Sequence, residues 1–334
     1  MIHIEEGEER GFFRFADLLS VSKAADRARL ADIPSRVQPE HPATAIFTSG
    51  TTGAPKGAVQ SHCALLNSAD FVGKSLGITA DDRICVPVPL FHVFGMIGGN
   101  LLAMLYGSAA VFPSDSFDPG AALEAVAAEH CIVLHGVPTM FIAELNHPDF
   151  RRHDLTSLRT GIVGGAPCPA HVLRRVVTEM HMVEVSNLYA MTEAVTCMQT
   201  AADDPLERRV ATVGRVAEHI EVKLINSEGQ MVPTGVQGEL CVRGYSVMLG
   251  YWEDEKRTAE AIEPDGWMHT GDLTTMDHEG HCSIVGRSKD MIYFTVSVPP
   301  SPASVRCCQI PALTTTLTLA GGSVVYDAHA VRVQ

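Results

Sequence analysis

Thr48-Ser49-Gly50-Thr51-Thr52-Gly53-Ala54-Pro55-Lys56-Gly57 is the stretch on which the reading of this chain turns. A short apolar run, Ala45-Ile46-Phe47, leads into it, and Ala58-Val59 followed by Ala64-Leu65-Leu66 leads out. The pattern predicts a strand, a loop rich in glycine and hydroxyls, and then a helix. Gly50, Gly53 and Gly57 let backbone N–H groups turn inward. Thr48, Ser49, Thr51 and Thr52 add hydroxyl donors, and Lys56 adds a mobile positive charge. Such a loop suits a polyphosphate. It is not the common P-loop, which needs four residues between its first glycine and Gly-Lys, then Ser or Thr. Here two residues separate Gly50 from Gly53, and Gly57 follows the lysine.

At 334 residues the chain has room for about two domains and a large core. Hydrophobic residues make up 46% and charged residues 19%, which excludes an extended disordered chain. The net charge of −14 argues against nucleic acid as the main partner. Nine cysteines without a C-x-x-C pair fit reduced thiols and a cytoplasmic setting. The fifteen histidines show no H-E-x-x-H spacing, which argues against structural zinc. Glu5, Glu6, Glu8 and Glu9 give the N-terminus the wrong sign for a signal peptide. Residues 84–114 carry no Asp, Glu, Lys or Arg, yet Pro87, Pro89, His92 and Asn100 interrupt them. They read as a buried strand, loop and helix rather than a transmembrane segment.

Along the chain, 15–33 predicts a helix ending before Pro34. From 43 to about 205, helices at 121–129, 139–145 and 170–180 alternate with strands at 131–135, 158–163 and 183–186. That alternation predicts parallel βα units with ligand loops at the carboxyl ends of the strands. After 205 the texture changes to strands at 220–225, 239–243 and 282–285, separated by turns at 227–229 and 277–280. These predict a small antiparallel, barrel-like β subdomain. Residues 293–334 are rich in Ser, Thr, Pro and Val, and Arg306, Asp327 and Arg332 are their only charges. No helix period or paired turn pattern holds across them.

Further motifs follow the phosphate loop in order: Pro89-Leu90-Phe91-His92, Gly164-Gly165-Ala166-Pro167, Asn187-Leu188-Tyr189-Ala190-Met191-Thr192-Glu193, Gly238-Glu239-Leu240-Cys241-Val242-Arg243-Gly244, Met248-Leu249-Gly250-Tyr251-Trp252, Trp267 with Thr270-Gly271-Asp272, and Gly286-Arg287-Ser288-Lys289-Asp290. Together they resemble the adenylate-forming (AMP-binding) superfamily, and the spacing from Gly235 through Asp290 looks most like its medium-chain acyl-CoA synthetase branch. The resemblance covers roughly 43–292. It implies an α/β fold, with a partial large domain of mostly parallel βα layers over 43–205 and the barrel-like subdomain over 206–292. It also implies ATP, magnesium and coenzyme A as small-molecule partners. The reaction implied is activation of a fatty acid to acyl-AMP and then acyl-CoA.

By the same resemblance, Thr48, Ser49, Gly50, Thr51, Thr52, Gly53 and Lys56 hold phosphates. His92 gates the acyl pocket, and Gly165, Ala166 and Pro167 lie along the adenine. Asn187 belongs to the signature in which Tyr189 stacks on adenine, Thr192 contacts the α-phosphate and Glu193 holds magnesium. Asp272 accepts the ribose hydroxyls, Arg287 reaches ribose or phosphate, and Lys289 is the hinge to a small domain. Ala190 replaces the usual glycine of the signature, and alanine disfavours positive φ, so a shifted loop is expected there.

A full family member carries a larger N-terminal portion before the phosphate loop. Residues 1–42 therefore read as a remnant of that subdomain, and strands that should pair with it are expected as exposed edges. The family continues past the position of Ile292 into a small domain whose lysine bridges carboxylate and α-phosphate. No lysine follows Lys289 here. The expectation is that 293–334 is not an evolved domain, with a non-catalytic ATP- and acyl-binding remnant as the alternative function.

Overall fold

The two apolar runs flanking the opening motif form a hairpin. The computed structural model describes residues 2–3, 13–14, 17, 29–48 and 55–287, and the backbone of strands at 292–296, 315–320 and 323–327. Strand β1 (Pro42–Thr48) pairs antiparallel with β2 (Lys56–Ser61), Thr48 opposite Lys56 and Ile46 opposite Ala58. Helix α1 (His62–Leu76) begins only after Ser61, whose hydroxyl caps it by accepting from Ala64 N at 3.0 Å. The predicted helix directly after the loop is thus corrected: Gly57 through Ser61 are buried in a strand bonded on both sides, to β1 and to Gly250–Tyr251. Ser49, Gly50, Thr51, Thr52 and Gly53 lie outside the described residues, as do Lys289 and most of the helix predicted over 15–33.

The central sheet has seven strands: β3 (Arg83–Cys85), β4 (Ala109–Val111), β5 (Val133–Leu134), β6 (Thr160–Gly164), β7 (Glu184–Met191), β8 (Ala194–Gln199) and β9 (Arg215–Val216). Their spatial order is β9-β8-β7-β6-β5-β3-β4. Pairings from β4 across to β7 are parallel, and those of β8 with β7 and with β9 are antiparallel. Every residue of β6 is buried, as a parallel strand covered on both faces requires.

One face is covered by α2 (Pro119–Glu129), α3 (Pro138–Leu145) and α4 (Ala170–Glu179), which supply Leu123, Phe141 and Leu173 to the core. The opposite face is covered by α1 and the helical run 93–106, which supply Val72, Leu76 and Leu102. Each fully buried side chain of this size contributes roughly 1.5–3 kcal/mol. The uncharged 84–114 stretch is thus strand, helix and strand of the core, and among the described residues no helix is long and apolar enough to cross a membrane.

The second sheet comprises β10 (Ile220–Ile225), β11 (Gly238–Gly244), β13 (Met268–Met276) and β14 (Cys282–Arg287), ordered β10-β11-β13-β14. Strand β12 (Gly250–Tyr251) leaves it to pair with β2. The sheet is antiparallel, as the turn spacing predicts, and it stays open rather than closing into a barrel. Leu240, Val242 and Met268 pack it against Ala194, Cys197 and Met198 of β8. In the tail, β15 (Ile292–Val296), β16 (Thr315–Ala320) and β17 (Ser323–Asp327) pair antiparallel. These segments are Thr-, Val- and Leu-rich, a composition that suits strands even without alternation. Among the described residues strand β1 is the outer member of its three-stranded sheet, with Phe47 exposed.

Glu144 on α3 lies inside the core, and neither carboxyl oxygen has a partner among the described residues. Burial pushes its pKa up to about 8. The folded chain therefore holds a proton that the unfolded chain releases above about 4.5, and stability falls as pH rises between those values. Glu144→Met, which keeps the volume and removes the acid, should raise Tm at pH 8 clearly more than at pH 5. Equal gains at both pH values, followed by calorimetry, would show that the acid titrates normally.

Candidate active site

A cleft of about 530 Å³ opens where the carboxyl ends of β6 and β7 face β13 and β14. It collects seven of the residues singled out in the sequence: Gly165, Ala166 and Pro167 after β6, Asn187 and Tyr189 on β7, Asp272 on β13 and Arg287 on β14. Gly165 turns the chain at φ +81°, and a Cβ there would stand 3.3 Å from Val137 Cγ1. Only glycine takes that turn without strain. The small residues that follow leave room for a flat ligand against the backbone.

Asp272 is only 3% exposed, and its charge is satisfied from two sides. Tyr189 Oη donates to Oδ2, and Arg287 Nε donates to Oδ1 at 2.8 Å. The Asp272 N–H in turn donates to Thr270 Oγ1 at 3.0 Å. A carboxylate offers about four acceptor positions, so two partners leave capacity for sugar hydroxyls. Burial, with the adjacent Asp272 carboxylate adding to it, drives the Tyr189 phenol far above its ordinary pKa. Asn187 braces the opposite wall: its N–H donates to Thr200 Oγ1 at 2.8 Å, and its side-chain amide donates to the Thr212 carbonyl at 3.0 Å.

The signature lies on a strand rather than in a loop, because β7 continues to Met191 and pairs there with β8. Ala190 is accordingly not among the described residues with positive φ, the conformation that alanine disfavours. Thr192 and Glu193 form the turn. The buried side-chain amide of Gln60 donates to the Thr192 carbonyl at 2.6 Å. Tyr251 Oη donates to Glu193 Oε1 at 2.9 Å, and Lys56 Nζ stands 5.0 Å from the centroid of the Tyr251 ring.

Glu193 Oε2 has no hydrogen-bond partner among the described residues. Among the described residues no cluster of three or more His, Cys, Asp or Glu side chains is arranged to hold a metal ion unaided. One carboxylate with an open oxygen fits magnesium that arrives with phosphates, since that ion is usually held by one or two carboxylates plus substrate oxygens.

His92 caps the helical run, its Nδ1 accepting from Phe94 N at 3.1 Å. It borders a second, small cavity of about 40 Å³, whose walls are otherwise mainly apolar: Val72, Phe94, Ile97, Ile162 and Val195. Partial burial lowers the His92 pKa, although one side of the residue is open to solvent. The two cavities share Gly165, Leu188 and Ala190 as a common wall. Phe91, by contrast, is 85% exposed and lines neither.

Sequence reasoning did not single out Gln60 or Tyr251. For Gln60 the signal was one amide inside the apolar-patterned run Ala58-Val59-Gln60-Ser61. For Tyr251 it was the Met248–Trp252 motif itself, read only for its place in the β subdomain.

Comparison with known proteins gives a consistent set of likenesses. A family model described as AMP-binding enzyme matches residues 8–252. YngI of Bacillus subtilis (strain 168), whose name assigns it provisionally to the acyl-CoA synthetases, is 44% identical over 294 residues, 87% of this chain and 53% of that protein. The mitochondrial medium-chain acyl-CoA ligase ACSF2 of Danio rerio is 40% identical over 294 residues, 86% of this chain and 48% of that protein. The crystal structure of the anthranilate CoA ligase AuaEII in complex with anthranoyl-AMP aligns with a TM-score of 0.76 at 26% identity, over 87% of this chain and 55% of that one. The chain spans about half the length of the curated relatives it matches.

Cys168 borders the large cleft, and burial pushes its thiol up to about 11. Its alkylation by iodoacetamide should accelerate steeply from pH 8 to 10, and AMP should protect it while leaving Cys63 on α1 unaffected. Peptide mass mapping reads both sites. Equal protection of the two, or of neither, would place the ligand elsewhere.

Proposed function

Since this chain belongs to the AMP-binding enzyme family, we propose that its protein activates a fatty carboxylic acid with ATP, first to acyl-AMP and then to acyl-CoA. The observation that carries this reading is the convergence on one cleft of the Asp272 carboxylate, the Tyr189 ring and the Gly165–Pro167 turn, with Glu193 in the turn that follows the Tyr189 strand and Lys56 linked to it through Tyr251. The apolar small cavity beside His92 supports an uncharged acyl group. Medium chain length rests on the likeness to ACSF2, because the cavity itself is small.

In the first step a carboxylate oxygen attacks the α-phosphorus, forming a C–O–P linkage as the bond to pyrophosphate breaks. In the second, the coenzyme A thiolate attacks the acyl carbonyl, a C–S bond forms and AMP leaves. Asp272 takes the ribose hydroxyls, and Tyr189 with Gly165, Ala166 and Pro167 walls the adenine. Thr192 contacts the α-phosphate, Lys56 offers positive charge to the phosphates, and Arg287 reaches ribose or phosphate. Glu193 would hold magnesium through Oε2, and magnesium when bound offsets phosphate charge. His92 borders the acyl group at the small cavity, where partial burial disfavours its charged form. Such preorganised groups commonly supply the largest share of acceleration in reactions that build charge.

The test is ATP–pyrophosphate exchange dependent on added acid. Octanoate should support exchange better than acetate. Glu193→Gln should lower it on the order of 100-fold while AMP affinity changes little. Nucleotide binding without exchange would favour a non-catalytic ATP- and acyl-binding protein; absence of both would overturn the reading.

A further inference from the structure

Glu193 is gripped at two points by one short segment. Met248 N donates to the Glu193 carbonyl at 2.8 Å, and Tyr251 Oη donates to its Oε1 at 2.9 Å. The same segment is fastened to β2, the strand that starts at Lys56. Leu249 N donates to the Val59 carbonyl at 2.8 Å, and Trp252 N donates to the Gly57 carbonyl at 2.7 Å. Tyr251 stands opposite Ala58 in that pairing, so its ring is set beside Lys56 by backbone register.

One aromatic side chain therefore touches both an acid and a base. Lys56 and Glu193 carry opposite charges and share Tyr251 as neighbour, yet they form no ion pair with each other among the described residues. Tyr251 meets each in a different way. Its hydroxyl satisfies one carboxylate oxygen, and its π face attracts the ammonium. Without the hydroxyl, nothing on the ring holds the carboxylate back from the ammonium that neighbours the same ring. A direct pair would then take up the open oxygen and the phosphate-facing charge together.

We propose that Tyr251 is a positioning residue that keeps Glu193 and Lys56 apart, leaving the carboxylate for the metal and the ammonium for the phosphates of a bound metal–ATP complex. The assignment rests on the proposed function, since it takes ATP as the ligand, but it concerns a residue outside the direct contacts.

The experiment compares wild type with Tyr251→Phe, which keeps the ring and removes only the hydroxyl. Affinities for ATP with and without Mg²⁺, and for AMP, are measured by calorimetry on the full chain. In wild type Mg²⁺ should strengthen ATP binding. In Tyr251→Phe that metal-dependent gain should fall about tenfold, AMP affinity should hold within about twofold, and Tm should barely move. In a Glu193→Gln background the Tyr251→Phe effect should vanish, because the group it positions is gone. An unchanged Mg²⁺ gain in Tyr251→Phe, or an effect that persists in Glu193→Gln, overturns the assignment alone. Equal loss of AMP and ATP binding, or a variant that fails to fold, gives Tyr251 a structural role and overturns it too. Absence of Mg²⁺-dependent ATP binding in wild type overturns the proposed function, and this assignment with it.

Discussion

Hydrogen bonds leaving β2 in three directions fix the charged half of the site. One set joins β1 and holds Thr48 opposite Lys56, and another joins β12 and brings Tyr251 beside Lys56. The third is a single contact, Gln60 Nε2 to the Thr192 carbonyl, reaching across 132 positions of sequence. From Gly57 to Ser61 the strand is buried, so water offers no alternative partner for these groups. Displacing β2 would move Lys56, Tyr251 and the Thr192–Glu193 turn together. That shared dependence makes the site a property of one strand rather than of several independent loops.

The cleft around Asp272 obeys a different constraint. Asp272 is an almost fully buried carboxylate, and such a charge is tolerable only with close partners. Tyr189 and Arg287 supply them from β7 and β14, so the acid bridges the two sheets. The residue proposed to read the ribose is therefore also a fastening between sheets. Much of the cost of burying it is met by contacts that set the cleft walls before any ligand arrives.

Around the small cavity the electrostatics run the other way. His135 lies beneath it, its Nδ1 accepting from Ile162 N at 3.1 Å and its ring 5.8 Å from that of Phe94. Burial lowers its pKa to about 4, and burial lowers that of His92 as well. Burial thus disfavours the charged form of both imidazoles, and the region presents little charge to whatever enters. An overall charge of −14 coexists with this because no Asp or Glu is among the residues that line the small cavity.

The chain alone determined the chemistry by type and order: the glycine- and hydroxyl-rich loop, Tyr189 with Thr192 and Glu193, Asp272, Arg287, and the alternation of helices and strands through 43–205. Local signals suffice for these, since glycine tolerance, hydroxyl donors and apolar periodicity are written within a few residues of each other. Tertiary structure alone decided that the segment after the loop is a strand, that the signature continues β7, and that the second sheet stays open. Each outcome depends on a partner distant in sequence. Ala58-Val59 fits helix or strand until β12 arrives to bond it, and Gln60 and Tyr251 gain meaning only once β2, β12 and the turn after β7 meet. Backbone pairing and buried hydrogen bonds between remote segments carry no local signature, which is why these contacts had to come from the fold.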